Sequence, residues 1–254
     1  PSSNLDKNKY DKNDGWETYH NNRSKRVTEL LYNTGKIDYA TFKRTKFDQQ
    51  LPQQLQYPYS IDSMFNLNAA EYPGLKEVIV NFQSWDKKAT ADSKGAAIFI
   101  ITYYYLADKL KGTPSRKITK AEAVETFQYV YDHMMKNFRK TDLLLGDVQK
   151  LVRGNDVRPA WGFPDVLTPT FSEPYGNGMR KVMGGDAYIC FVRYPKNGGL
   201  PLIESVNTFG ASMNPASPHF KDQMGMFQAQ ITKPMTLDKQ EVLRSAKKVY
   251  HPGE

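Results

Sequence analysis

The strongest constraint on the fold is the stretch 93–110, where Ala96, Ala97, Ile98, Phe99, Ile100, Ile101, Tyr103 and Tyr104 follow one another with almost no polar face. Asp92 stands where a helix cap is wanted, so a helix is expected from about Ser93 to Leu110. A helix that is apolar nearly all round has to be surrounded by protein. It therefore marks the centre of a sizeable body, and a chain of 254 residues is long enough to provide one.

Other helices arrange themselves around it. Thr119-Lys120-Ala121-Glu122 has the form of a capping box, and Ala123, Phe127, Val130, Tyr131, Met134 and Phe138 then recur at helical spacing. The Met134-Met135 pair reads as core filler. Trp16 to Asn33 is expected to be a helix with Val27, Leu30 and Leu31 on one face and Gly35 as its C-cap. Asp38 starts a second short helix carrying Phe42 and Phe47, and two weaker helical patterns flank Tyr72-Pro73-Gly74. A short helix is also expected from Leu143 to Val152, followed by a Pro- and Gly-punctuated loop over 154–178.

Beyond residue 178 the pattern changes. Arg180 to Met183, Ala187 to Tyr194 and Pro201 to Phe209 are short β-branched and aromatic runs bounded by Gly-Gly, Pro and Asn-Gly, which read as adjacent antiparallel strands. Helix returns at about Phe220 to Gln230 and Leu237 to Val249. The expected organisation is an extended arm over 1–15, a mainly helical region over 16–153, and loop, antiparallel strands and C-terminal helices over 154–254. The fold class is α+β.

A formal net charge of +8 raises the question of nucleic acid. The basic residues are scattered, however, and the densest groups, at 23–26 and 43–46, lie inside amphipathic patterns as solvated faces. No nucleic-acid partner is expected. One cysteine, Cys190, permits no disulfide framework, and its apolar surroundings read as a buried, inert thiol. No apolar run of about 20 residues is present, so no membrane span is expected. The sequence starts at Pro1-Ser2-Ser3-Asn4 without an initiator Met, the pattern of a processed or cut chain.

The residues by themselves assemble no catalytic site. Ser217, His219 and Asp222 mimic a hydrolase triad. Such triads come together from separate segments, whereas Pro218 fixes this stretch as a polar loop capping the next helix. His20, His133, His219 and His251 have no metal-like spacing, and HExxH, GxSxG, phosphate-loop and dinucleotide motifs are missing. Asp86, Asp92 and Asp147 each have a capping or loop explanation.

Several segments, in order, carry a resemblance. Asn21-Asn22-Arg23-Ser24-Lys25-Arg26-Val27-Thr28-Glu29-Leu30-Leu31 opens it, followed by Trp85-Asp86 with Asp92-Ser93-Lys94-Gly95-Ala96 and by Gly146-Asp147-Val148. Gly184-Gly185-Asp186-Ala187-Tyr188 and Pro215-Ala216-Ser217-Pro218-His219-Phe220-Lys221-Asp222-Gln223 close it. In this order they resemble the penicillin amidase family of N-terminal-nucleophile hydrolases, and its branch of acyl-homoserine-lactone and aculeacin acylases most of all. The match is partial at Ala211-Ser212, where the family has Gly-Gln.

The resemblance implies the C-terminal portion of a four-layer αββα fold and a parent amidohydrolase, autoproteolytically processed and exported to the periplasm or beyond. Its nucleophile would be an N-terminal serine whose own α-amine, with a pKa of about 8, serves as the base. Family order puts that serine and the oxyanion donors upstream, and Pro1 has no hydroxyl to replace it, so the fragment alone is expected to be inactive. No cofactor is implied beyond an allowance for a structural calcium in the parent. The implied partners are the rest of the acylase precursor and a small N-acyl substrate. One site residue carries over: an arginine behind the oxyanion asparagine, at Arg26, with Arg23 one turn earlier as runner-up; a surface arginine on an amphipathic helix is the alternative. Two other readings stay open, a non-catalytic binding or accessory module and a basic binder of nucleic acid or of an anionic surface. Salt-dependent nucleic-acid binding would favour the latter.

Overall fold

The computed structural model describes residues 20–249 apart from 33 and 58, so the expected arm at 1–15 lies outside the described residues. The chain divides into two units, Pro1–Gly185 and Asp186–Glu254.

In the first unit, helix α1 (Asn22–Leu31) starts on a capping box. Asn21 Oδ1 accepts the Ser24 amide while Ser24 Oγ accepts the Asn21 amide. The helix buries Asn22 and Ser24, whereas Val27, Leu30 and Leu31 are only half-buried. Its inward face is polar because it packs on loop backbone, and it ends at Leu31 with Tyr32 as the cap rather than running on to Gly35. Helix α2 (Tyr39–Lys46) is capped by Asp38, as expected; Phe47 is buried and Phe42 points outward. Strand β1 (Tyr59–Ser60), α3 (Asp62–Phe65) and α4 (Lys76–Gln83) follow.

The central helix is α5 (Lys94–Lys109), and every residue from Gly95 to Thr102 is buried. Ser93, not Asp92, is its N-cap, accepting from the Ala96 amide at 3.1 Å. Trp85 packs against Gly95, where an added Cβ would fall 2.2 Å from the Trp85 side chain. A glycine inside a helix costs about 1 kcal/mol relative to alanine, and here it makes room for an indole that touches Phe99 (4.9 Å between centroids) and Phe163 (5.8 Å). Strand β2 (Arg116–Lys117) runs parallel to β1. The capping box expected at Thr119 and Glu122 then starts α6 (Lys120–Phe138), which buries Ala123, Phe127, Val130 and Met134. Arg116 forks onto Glu122 at 2.6 and 2.8 Å; this pair and the Thr119 amide hold the Glu122 carboxyl down at about 2.

The expected helix Leu143–Val152 is a correction. Only one turn forms, α7 (Leu145–Val148), before the chain straightens into β3 (Gln149–Arg153), where Gln149 and Leu151 alternate inward. The expected loop 154–178 contains two more strands, β4 (Asp156–Pro159) and β5 (Thr170–Tyr175). With β6 (Met179–Gly185) they form a sheet of order β4-β3-β6-β5, in which β3 and β6 are parallel and the other pairs antiparallel. The run Arg180–Met183 therefore pairs with β5 and β3, and not with the strand after it. Asn177 and Gly178, both at positive φ, make the tight turn between β5 and β6 that an Asn-Gly pair favours.

In the second unit, β7 (Tyr188–Arg193) and β8 (Leu202–Asn207) are antiparallel neighbours, as expected. Beyond them come α8 (Met224–Gln228), β9 (Lys233–Met235), which pairs with β8, and α9 (Lys239–Ser245). Ile189 and Phe191 take the buried face of β7. Strand alternation puts Cys190 on the other face, so the thiol is exposed rather than buried.

Candidate active-site residues

Helix α1 is anchored by an asparagine that the sequence reading quoted without giving it a role. Asn22 is 1% exposed; its Nδ2 donates to Gln56 O (2.9 Å) and Asp165 Oδ2 (3.1 Å), and its Oδ1 accepts from the Gln56 amide (2.6 Å). Every hydrogen-bonding capacity a buried amide needs is thereby met from two distant segments. Asp165 also faces Tyr57, Tyr59 and Tyr103. Burial, then the charge of Asp165, raises all three hydroxyls, Tyr59 to about 12.

One turn along α1, Arg26 points into a cluster of acids and amides. Its Nε and Nη2 donate to the two oxygens of Asp48 at 2.9 and 2.8 Å, a bidentate pair. Nη1 donates to Glu29 Oε2 at 3.2 Å and Nη2 to Gln50 Oε1 at 3.3 Å. The carboxylates are fixed in turn: Asp48 Oδ1 accepts the Gln50 amide and Glu29 Oε1 the Gln53 amide. The side chains of Arg26 and Asp48 are 13% and 17% exposed. Hydrogen bonding to Asp48 leads the raising of the Arg26 pKa, against the opposing effect of burial. Of five N–H groups, four are engaged, leaving one Nη1–H without a partner among the described residues. Arg23, by contrast, is exposed.

The expected Arg26 is thus brought to an organised position with Glu29 of its own motif and with Asp48 and Gln50, which no sequence signal announced. Asp48 lies in an irregular stretch 22 residues on, where it looks like any other loop acid.

The Ser217 corner is a different matter. Ser217 Oγ accepts the His219 backbone amide at 3.1 Å and is not bonded to its imidazole, while His219 Nδ1 meets Asp222 Oδ2 at 2.9 Å on the surface. A nucleophile needs its base within hydrogen-bonding reach, whereas among the described residues Ser217 Oγ meets only the His219 backbone and the His219 ring is engaged with Asp222. The next residue, Gln223, is 3% exposed and donates its amide to Phe209 O while accepting the Asn207 amide. The segment closes a corner. Ser217→Ala should lower stability by about 0.5–1.5 kcal/mol, the worth of one hydrogen bond, and leave the rate per folded molecule of an active enzyme unchanged. A tenfold fall in that rate with unaltered stability would make Ser217 a catalytic group.

The remaining motif residues also do structural duty. Asp147 Oδ2 accepts the Leu144 amide at the start of α7, and Asp86 Oδ1 accepts the Lys88 amide in a turn. A side chain at Gly146 would run into Pro159 and Ala91, and one at Gly185 (φ +126°) into Pro169 O. Among the described residues no three His, Cys, Asp or Glu side chains gather as a metal site would require, and no helix is long and apolar enough to cross a membrane.

Comparison with known proteins bears on the same residues. Residues 2–244 match the penicillin amidase family. A stretch of 90 residues is 32% identical to the acyl-homoserine lactone acylase PvdQ of Pseudomonas fluorescens, covering 34% of this chain and 11% of that relative. With a match that runs almost from end to end, the chain belongs to the penicillin amidase family.

Proposed function

We propose that this chain forms the Arg26-bearing part of an acylase that hydrolyses the amide of an N-acyl substrate, such as an acyl-homoserine lactone or a penicillin, through a covalent acyl-serine. Its family membership carries the reading. The serine, with its own α-amine as base, and the oxyanion donors would come from polypeptide outside these 254 residues, and the whole would take the four-layer αββα fold of N-terminal-nucleophile hydrolases and be exported. Within it, Arg26 is a positioning residue. With Asp48 and Glu29 both against it, the guanidinium adds little net positive field. It contributes a rigidly held N–H, fixed in direction by the Asp48 fork, with which to orient an oxyanion-binding amide. A lysine head, which cannot fork, would not hold that direction.

The test compares the intact protein with the isolated chain, following amine release from N-acyl-homoserine lactones and from phenylacetyl amides. The intact protein is expected to release amine and the 254-residue chain none. Turnover by the pure chain, lost in Ser217→Ala or His219→Ala, would overturn the assignment of the nucleophile. Failure of the intact protein on every N-acyl substrate would overturn the acylase reading.

A further inference from the structure

Away from Arg26, the first unit holds a cleft of about 550 Å³ between α5, α6 and the β5–β6 hairpin. Its size is that of a small-ligand pocket, roughly 300–1,000 Å³. Its base is Arg180. The guanidinium carbon lies 3.4 Å from the centroid of the Tyr104 ring, Nε donates to Ser172 Oγ (3.1 Å) and Nη2 to Ser172 O (2.5 Å). Ser172 is locked in turn, its amide donating to Tyr104 Oη (2.9 Å) and its hydroxyl to Gln149 Oε1 (3.0 Å).

What Arg180 does not have is an acid. Among the described residues no carboxylate stands within ion-pair distance of it: Glu173, the neighbour on β5, is paired with Lys181 at 3.0 Å. The other titratable groups on the cleft wall are Asp108, exposed on α5, His133, and the phenols of Tyr104, Tyr105, Tyr129 and Tyr175. His133 donates from Nε2 to Gly178 O (2.9 Å). Burial pulls the Arg180 pKa down from its ordinary value, although an arginine keeps its charge in any protein. Two of its five N–H groups go to Ser172 and the Tyr104 ring covers one face of the guanidinium, so the remaining edge of this partly buried cation is available to an anion in the cleft.

Much of the wall is aromatic. Tyr105 and Tyr129 stack at 4.1 Å with 18° between their planes, and Ile101, Tyr175 and Met179 complete the lining. The cleft is also preformed. The His133 bond pins the hairpin turn to α6, and Asn137 fills the space beside Gly178 so closely that an added Cβ would meet its Cγ at 2.4 Å.

We infer that this cleft is a binding site for a small monocarboxylate bearing a planar apolar group, the carboxylate meeting the free edge of Arg180 and the ring lying among Tyr104, Tyr129 and Tyr175. A carboxylate matches a guanidinium edge with two parallel hydrogen bonds, and a flat ring finds aromatic faces to pack on. Asp108 at the margin disfavours ligands of higher negative charge. The inference does not depend on the acylase reading.

The probe is 2-naphthoate, titrated calorimetrically into the full chain alongside 2-naphthamide, which has the same shape without the charge. Naphthoate is expected to bind one per chain, at least tenfold more tightly than the amide. Arg180→Gln should weaken naphthoate by tenfold or more and leave the amide nearly unaffected. Arg180→Gln removes a bond to β5, so Tyr175→Ala serves as the second variant, and it should weaken both ligands alike. No naphthoate binding, equal affinity for acid and amide, or full affinity in either variant when folded would each overturn the site.

Discussion

Arg26→Ala is expected to lower the acylation rate of the intact enzyme by about 10- to 100-fold, with much less effect on substrate binding. Removing a preorganised donor that touches the oxyanion costs about 2.7–4 kcal/mol; Arg26, acting through another side chain, should cost less, and each 1.36 kcal/mol is a factor of about ten in rate. Arg26→Lys should fall nearly as far, because an ammonium cannot reproduce the two-point grip on Asp48. The substitution also leaves Asp48 half-enclosed without its cation, a stability loss of about 1–3 kcal/mol. Rates must therefore be taken per folded molecule, and kcat separated from KM. The exposed Arg23 is the control, and Arg23→Ala should stay within about threefold of wild type. If Arg23→Ala abolished activity and Arg26→Ala did not, the register would be wrong by one helical turn. Indifference to both substitutions would make the Arg26–Asp48 pair a purely structural tie.

The largest effect on stability is expected from Phe99→Ala. Phe99 is 2% exposed and packs against Trp85 (4.9 Å), Phe163 (5.0 Å), and Tyr57 and Tyr103 (both 6.2 Å). Truncating a buried phenylalanine typically costs about 3–5 kcal/mol, in lost transfer energy and in the cavity left behind. Rings held on all sides cannot close that cavity, so the upper half of the range applies. Against a typical total of about 5–15 kcal/mol, this removes about a quarter or more of the stability. Val80→Ala, on the outer face of α4, should change it by no more than about 0.5 kcal/mol. Urea denaturation measures both. A loss below about 1.5 kcal/mol for Phe99→Ala would show that the aromatic cluster repacks.

The central helices were legible because their signals are local. The Thr119–Glu122 box and the unbroken apolar run of α5 need no knowledge of the rest of the chain. The sheets were less legible. Gln149-Lys150-Leu151-Val152-Arg153 is too short for period two to be told from helical spacing, and the parallel partner that draws it straight begins at Arg180. Prolines hid the rest. Pro159, Pro174 and Pro234 lie in β4, β5 and β9, and in the sequence they read as breaks. All three strands are outermost in their sheets, where a missing N–H is tolerated. At the candidate site, Arg26 was reachable through resemblance, but its partners Asp48 and Gln50 and the neighbouring anchor Asn22–Asp165 are meetings across 22 to 143 residues that no local pattern encodes.

Those prolines also bear on how the protein behaves in a crowd. An outermost strand is a template onto which another chain can zip, the first step toward amyloid-like aggregation. A proline deletes a donor from that template. Of the four margins of the two larger sheets, three are broken in this way, and β9 adds an exposed lysine and a length of three residues. Only β7, Tyr188 to Arg193, carries an uninterrupted row of backbone N–H groups. Among the described strands, β7 is therefore the margin least protected against pairing with another chain.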